Sequence, residues 1–201
     1  AAARARAEVD TVLAGRDLEH MGTWLGVTGA GRFAALTNYR DPAANRPDAK
    51  SRGELVKNYL CGSLPPAAYL EEIRRAAGDY NGFNLIVGDA AGLYYYSNLS
   101  GEATAVPPGV HGLSNHLLDT PWPKVVKAKT GLAACLADPE GVRPAALFAL
   151  LGDRTPAPDA ELPDTGVGEA WERLLSPVYI VSPDYGTRSS TVVLMKNTGG
   201  I

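Results

Sequence analysis

The chain has 201 residues, 45% hydrophobic and 20% charged, which is enough apolar material for one core and a composition unlike that of a disordered chain. A formal net charge of −3 leaves no surplus of Lys and Arg to neutralise a phosphate backbone, which argues against nucleic acid as a partner. No apolar run reaches the ~18–20 residues that span a bilayer and residues 1–10 lack the apolar centre of a secretion signal, so a cytoplasmic, single-domain protein over 1–201 is expected.

In chain order, β-prone runs at 22–27 and 32–38, joined by Gly29-Ala-Gly31, predict a first hairpin. Apolar residues at helical spacing follow, Leu55, Val56, Tyr59 and Leu60 in one segment and Tyr69, Leu70, Ile73 and Ala77 in the next, and predict helices over 53–61 and 66–77. Pro65-Pro66 suits the start of the second, because the first backbone donors of a helix have no partner to lose. A second hairpin is predicted from 83–87 and 93–97, then helices over 122–137, 144–151 and 168–175, with a Pro-rich loop over 155–168. Runs at 178–181 and 189–195 predict a closing strand pair around the Pro183-to-Arg188 turn. Hairpins with helices inserted between them imply layered α+β architecture rather than alternating βαβ units. The two cysteines, Cys61 and Cys135, have neither metal-site nor disulfide-scaffold spacing and are read as small buried hydrophobes.

Seven local strings are more specific than composition. They are Leu13-Ala-Gly-Arg-Asp-Leu18, Gly22-Thr-Trp-Leu-Gly26, Ala35-Leu-Thr-Asn-Tyr39, Ser51-Arg-Gly-Glu-Leu-Val56, Tyr80-Asn-Gly-Phe-Asn-Leu85, the run from Gly112 to Lys124 containing Ser114-Asn-His116 and Thr120-Pro-Trp-Pro-Lys124, and Tyr185-Gly-Thr-Arg-Ser-Ser-Thr191. In this order they resemble the NRDE family, also called the transport and Golgi organisation protein 2 family. The resemblance implies a fold similar to the N-terminal nucleophile hydrolases, a four-layer αββα sandwich of two mainly antiparallel sheets. It also implies that a family N-terminal Cys, the Asn-Arg-Asp-Glu motif and a C-terminal segment lie outside the chain as given, with Ala1 in no position to act as a nucleophile.

The resemblance brings two roles to one pocket: Asn115 as an oxyanion donor and Arg188 as a clamp for a carboxylate or phosphate. Each residue also has a structural reading, Asn115 as a turn former and Arg188 as a surface charge. Arg16 and Asp17 are read as an internally paired turn or as ligand contacts, and Asn38 and Asn84 as turn residues or ligand contacts. Trp24 and Trp122 are core aromatics or, with Tyr185, the walls of an apolar slot for a flat ligand. His20 and His111 are read as structural, whereas His116 adjoins Asn115 and carries the imidazole of an axial haem ligand. No metal site of His, Cys and acidic residues is expected.

The function implied by the family is intracellular binding or trafficking of a small hydrophobic molecule, haem or a lipid-related ligand. The alternative is an amidohydrolase with an N-terminal Cys nucleophile, in which Asn115 and Arg188 assist.

Overall fold

In the computed structural model, which describes residues 11–195, β1 (Val12–Ala14), β2 (Leu25–Thr28) and β3 (Phe33–Asn38) lead into α1 (Gly53–Cys61) and α2 (Pro66–Ala76). Then come β4 (Phe83–Asp89), β5 (Gly92–Ser97), β6 (Ala103–Val106), α3 (Pro123–Leu136), α4 (Pro144–Leu151) and α5 (Glu169–Leu175). The strands form one six-stranded sheet in the order β1-β2-β3-β4-β5-β6, antiparallel throughout. Residues 1–10 and 196–201, which carry the expectations about the two chain ends, lie outside the described residues.

The period-2 alternation of a strand divides the sheet into two unlike faces. Ala34, Leu36, Leu85, Val87 and Tyr96 point to one side and pack against Leu55, Val56, Tyr59, Tyr69, Leu70 and Ile73 of α1 and α2. Two of the buried phenols there are tied to backbone, Tyr59 donating to the Gly88 carbonyl at 2.9 Å and Tyr69 to that of Leu55 at 2.6 Å. Cys61 is exposed rather than buried, because the stripe formed by Leu55, Val56, Tyr59 and Leu60 has turned away by the next residue; Cys135 is half-buried.

The other face has a polar centre. Thr37, Asn84 and Ser97 stand in one cross-strand row, and Asn84 and Ser97 are wholly buried. The 107–122 loop covers this row, and α3 stands over the loop, with Val125 and Lys129 against Gly112. α4 packs on α3, the Leu150 side chain filling the notch at Gly131.

The expected closing strand pair forms a single bridge, Val181 to Gly186, and residues 187–195 join no strand; a second sheet is not formed among the described residues. On the 178–181 side two donors are diverted from the pairing, although Thr187 N–H still reaches the Ile180 carbonyl. Tyr179 N–H donates to the Asp153 carbonyl, and Ile180 N–H to the Thr187 side-chain hydroxyl, where a ladder needs backbone partners. The short β1 and β6 went unforeseen, since three or four residues leave little alternation to detect.

At Gly22 the chain crosses the start of α1, and an added Cβ would stand 2.5 Å from the Gly53 carbonyl carbon and 2.8 Å from its oxygen. The obstruction is backbone, which cannot swing aside as a side chain can. Gly22→Ala is therefore expected to destabilise the fold by roughly 1–3 kcal/mol, measured as a lower urea midpoint with an unchanged slope.

Candidate functional site

Two cavities flank this β2–α1 crossing. The larger, about 780 Å³, is enclosed by the β1–β2 region and the 188–194 segment, with Leu13, Trp24, Leu25, Val27 and Val193 as apolar walls. Arg16, Asp17 and Arg188 line it too. Asp17 is committed locally, its Oδ1 accepting the Glu19 N–H at 2.9 Å and the His20 N–H at 3.3 Å, while neither arginine has a carboxylate partner among the described residues. Those backbone bonds from Glu19 and His20 hold the half-buried Asp17 carboxyl below the usual carboxylate range.

The smaller cavity is a polar cleft of about 310 Å³ lined by Asn38, Arg40, Arg52, Asn115, Trp171 and Tyr185, with Asp41 also lining it. Asn115 Nδ2 donates to the Asn38 carbonyl at 3.0 Å, and the Asn115 carbonyl accepts from Arg40 N–H at 2.7 Å, so its amide fastens the loop to the end of β3. Arg40 is held by Glu172 at 2.8 Å and lies 5.0 Å over the Trp122 ring.

The sequence-derived residues therefore divide. Arg16, Asp17, Trp24 and Arg188 meet at the apolar cavity, and Asn38, Asn115 and Tyr185 at the polar cleft. Asn84 lines neither of them: its Nδ2 donates to Thr37 Oγ1 and the His116 carbonyl, and its Oδ1 accepts from the Tyr95 hydroxyl. His116 has both ring nitrogens engaged, Nε2 with the Tyr39 hydroxyl at 2.7 Å and Nδ1 with Thr120 Oγ1 at 2.9 Å. Burial lowers its pKa and keeps the ring neutral between Tyr39 and Trp122, whose centroids lie 4.8 and 5.7 Å away. No group of His, Cys, Asp and Glu suited to a metal ion occurs among the described residues.

Sequence reasoning missed Arg40, Arg52, Lys124 and Glu172; Arg52 and Lys124 stand within the strings at 51–56 and 112–124, but only the folded chain brings them to Gly82 and Leu175. Glu172 is 132 positions from the Arg40 it binds, yet only 3% of its side chain is exposed and its other oxygen accepts both the backbone N–H and the hydroxyl of Thr165.

Over residues 1–201 the chain matches the family Transport and Golgi organisation 2. The chain belongs to that family. It is 36% identical to the Transport and Golgi organization protein 2 homolog of Bos taurus over 206 residues, covering 94% of this chain and 74% of that protein. The Homo sapiens homolog is likewise 36% identical with the same coverage, and the Mus musculus homolog 32%. No helix among the described residues is long and apolar enough to cross a membrane.

In this chain the loop that presents Asn115 and His116 is held from within. It is pinned by Asp119, whose oxygens take His111 Nδ1 at 2.6 Å, Lys129 Nζ at 2.6 Å and the Gly112 N–H at 2.9 Å. Burial alone would raise the Asp119 carboxyl, but Lys129, His111 and Gly112 outweigh it and bring its pKa to about 2. A folded-state value below the unfolded one contributes stability above roughly pH 4, lost as pH falls toward 2. Asp119→Asn preserves a residue type that tolerates the φ of 60° found here. Its melting temperature should lie below that of the parent at pH 6 and converge with it near pH 2.

Lys124 carries the opposite sign. Burial, and then the nearby Arg40 charge, push its pKa down to about 8 although Glu172 pulls it up; its Nζ donates to the Leu175 carbonyl at 2.8 Å. Between about pH 8 and the unfolded value near 10.5 the unfolded chain binds the extra proton, so stability rises with pH there. From pH 8 to about 9.5, short of tyrosine ionisation, the parent should gain melting temperature, and Lys124→Met should show a flatter profile.

Proposed function

We propose that this chain binds and carries a small hydrophobic molecule bearing an acidic group, with haem or a lipid-related acid as the ligand class, in the apolar cavity beside β1 and β2. The observation that supports it is the pairing of apolar walls with two arginines, Arg16 and Arg188, that have no carboxylate partner among the described residues. A cavity of this volume is within the range that holds small molecules, and a guanidinium at its rim suits a carboxylate in fork geometry. Trp24, 40% exposed, supplies a flat face at the same cavity. The relatives' names speak of transport and Golgi organisation, and for this chain we take over an intracellular carrier role in the cytoplasm.

The amidohydrolase alternative has less support. One of the two Asn115 Nδ2 donors is already used on the Asn38 carbonyl, and neither Cys61 nor Cys135 lines either cavity. For the carrier, the ligand's acid contacts Arg188 and its flat or aliphatic body contacts Trp24, while His116 plays no part in binding because both its nitrogens are already bonded.

Haem titration followed at the Soret band, and displacement of a fluorescent fatty acid, test this together. Saturable binding of one of them is expected. Arg188→Ala should weaken it about tenfold or more, the equivalent of one charge-assisted hydrogen bond, and His116→Ala should leave it unchanged. Failure of both probes to bind, or equal affinity in the parent and Arg188→Ala, overturns the reading.

A further inference from the structure

We propose a second, chemically different site: the polar cleft beside α1 and α5 binds a small organic acid that carries a hydroxyl or N–H donor next to its carboxylate. This is independent of the carrier reading, since the cleft and the apolar cavity share no lining residue.

Three observations converge on that ligand. Arg52 precedes α1 and lines the cleft, where one of its donors reaches the Gly82 carbonyl at 2.9 Å. It makes no ion pair among the described residues, and burial lowers its pKa, so the charge is partly desolvated without compensation. A partly buried guanidinium of this kind gains most from an anion brought to it. Arg40 adds a second guanidinium, fixed by Glu172 and Trp122 and only 11% exposed. Asp41 also lines the cleft, but its Oδ1 caps the Ala44 N–H and it forms no pair with either arginine among the described residues.

The second observation is an acceptor without a donor. Asn38 Oδ1 is buried and unbonded, one of two such side-chain atoms among the described residues. An orphaned buried carbonyl oxygen is costly, and the amide torsion of Asn is soft enough to swing it toward a donor in the cleft that Asn38 lines. The ligand therefore brings both a negative charge and a donor.

The third is shape. Trp171 and Tyr185 stand edge to face at 5.8 Å, each about half exposed, and form an aromatic wall. With about 310 Å³ available, the cleft suits a ligand of amino-acid size with a planar or branched apolar end.

The probe is 3-phenyllactate, which carries the carboxylate, the neighbouring hydroxyl and a ring. Calorimetry with the full chain should show one saturable site. The methyl ester, which loses the charge, and 3-phenylpropanoate, which loses the donor, should each bind at least five times more weakly. Arg52→Met should weaken 3-phenyllactate at least tenfold and leave binding at the apolar cavity unchanged, while Trp24→Ala should do the reverse. The ligand series on the unmutated protein does not depend on any variant folding. Absence of binding at millimolar 3-phenyllactate, or equal affinity for acid and ester, overturns the proposal. So does binding that survives in a folded Arg52→Met chain.

Discussion

The arrangement depends on how the second face of the sheet is closed. A bare row of Thr37, Asn84 and Ser97 would be a poor surface for hydrophobic burial, and the chain answers it with a loop whose backbone supplies the missing partners. Thr37 donates to the Ser114 carbonyl, Asn84 to that of His116, and Tyr95 receives the Leu118 N–H while giving its own hydrogen to Asn84. A fully satisfied buried network fixes one register for the loop, because any slip would leave several polar groups unpaired at once. The two sides of the sheet thus use different physics. Apolar area holds α1 and α2, whereas directional bonds hold the 107–122 loop.

That difference explains where the candidate sites lie. The face under α1 and α2 is closely packed, and Tyr59 and Tyr69 there are already bonded to backbone carbonyls, whereas both candidate cavities lie elsewhere. On the other side a loop held at points leaves gaps around it, and these open as the polar cleft at the end of β3. The 188–194 segment, which joins no ladder, leaves the apolar cavity over β1 and β2. The failed strand pair and the cavity are one fact, since a segment zipped into a sheet edge could not stand off from it.

Much of the frame was legible in the sequence because it is local. The hairpins, the helices at 53–61 and 66–76, and the prolines that open α2, α3 and α4 follow from periodicity and from the geometry of a helix start. Asn84 shows the limit of that reading. The strand expected over 83–87 does place it inside β4, paired with Thr37 and Ser97, but nothing local shows that its amide closes that face of the sheet. Its role depends on a loop more than thirty residues away. The strand expected over 189–195 does not form, because β propensity becomes a strand only where a partner offers backbone groups. The residues around the cleft were harder still, since Arg40 and Glu172 look like ordinary surface charges until α5 is folded against the end of β3.

Arg40, Lys124 and Glu172 carry this reasoning one step further. They form a largely buried group with two cationic side chains and one carboxylate, and Glu172 has spent its oxygens on Arg40 and Thr165. Lys124 is left with a carbonyl at the end of α5, where the negative pole of the helix favours it only modestly. The amine accordingly gives up its proton more readily than an exposed lysine would. A hydrophobic residue could fill the same space at less electrostatic cost, so what the lysine supplies is a tether between the start of α3 and the end of α5. The end of α5 that it holds carries Leu175, which lines the polar cleft together with Trp171 and Arg40. The partly buried Lys124 ammonium thus ties down the end of the helix that carries Trp171, one wall of the cleft.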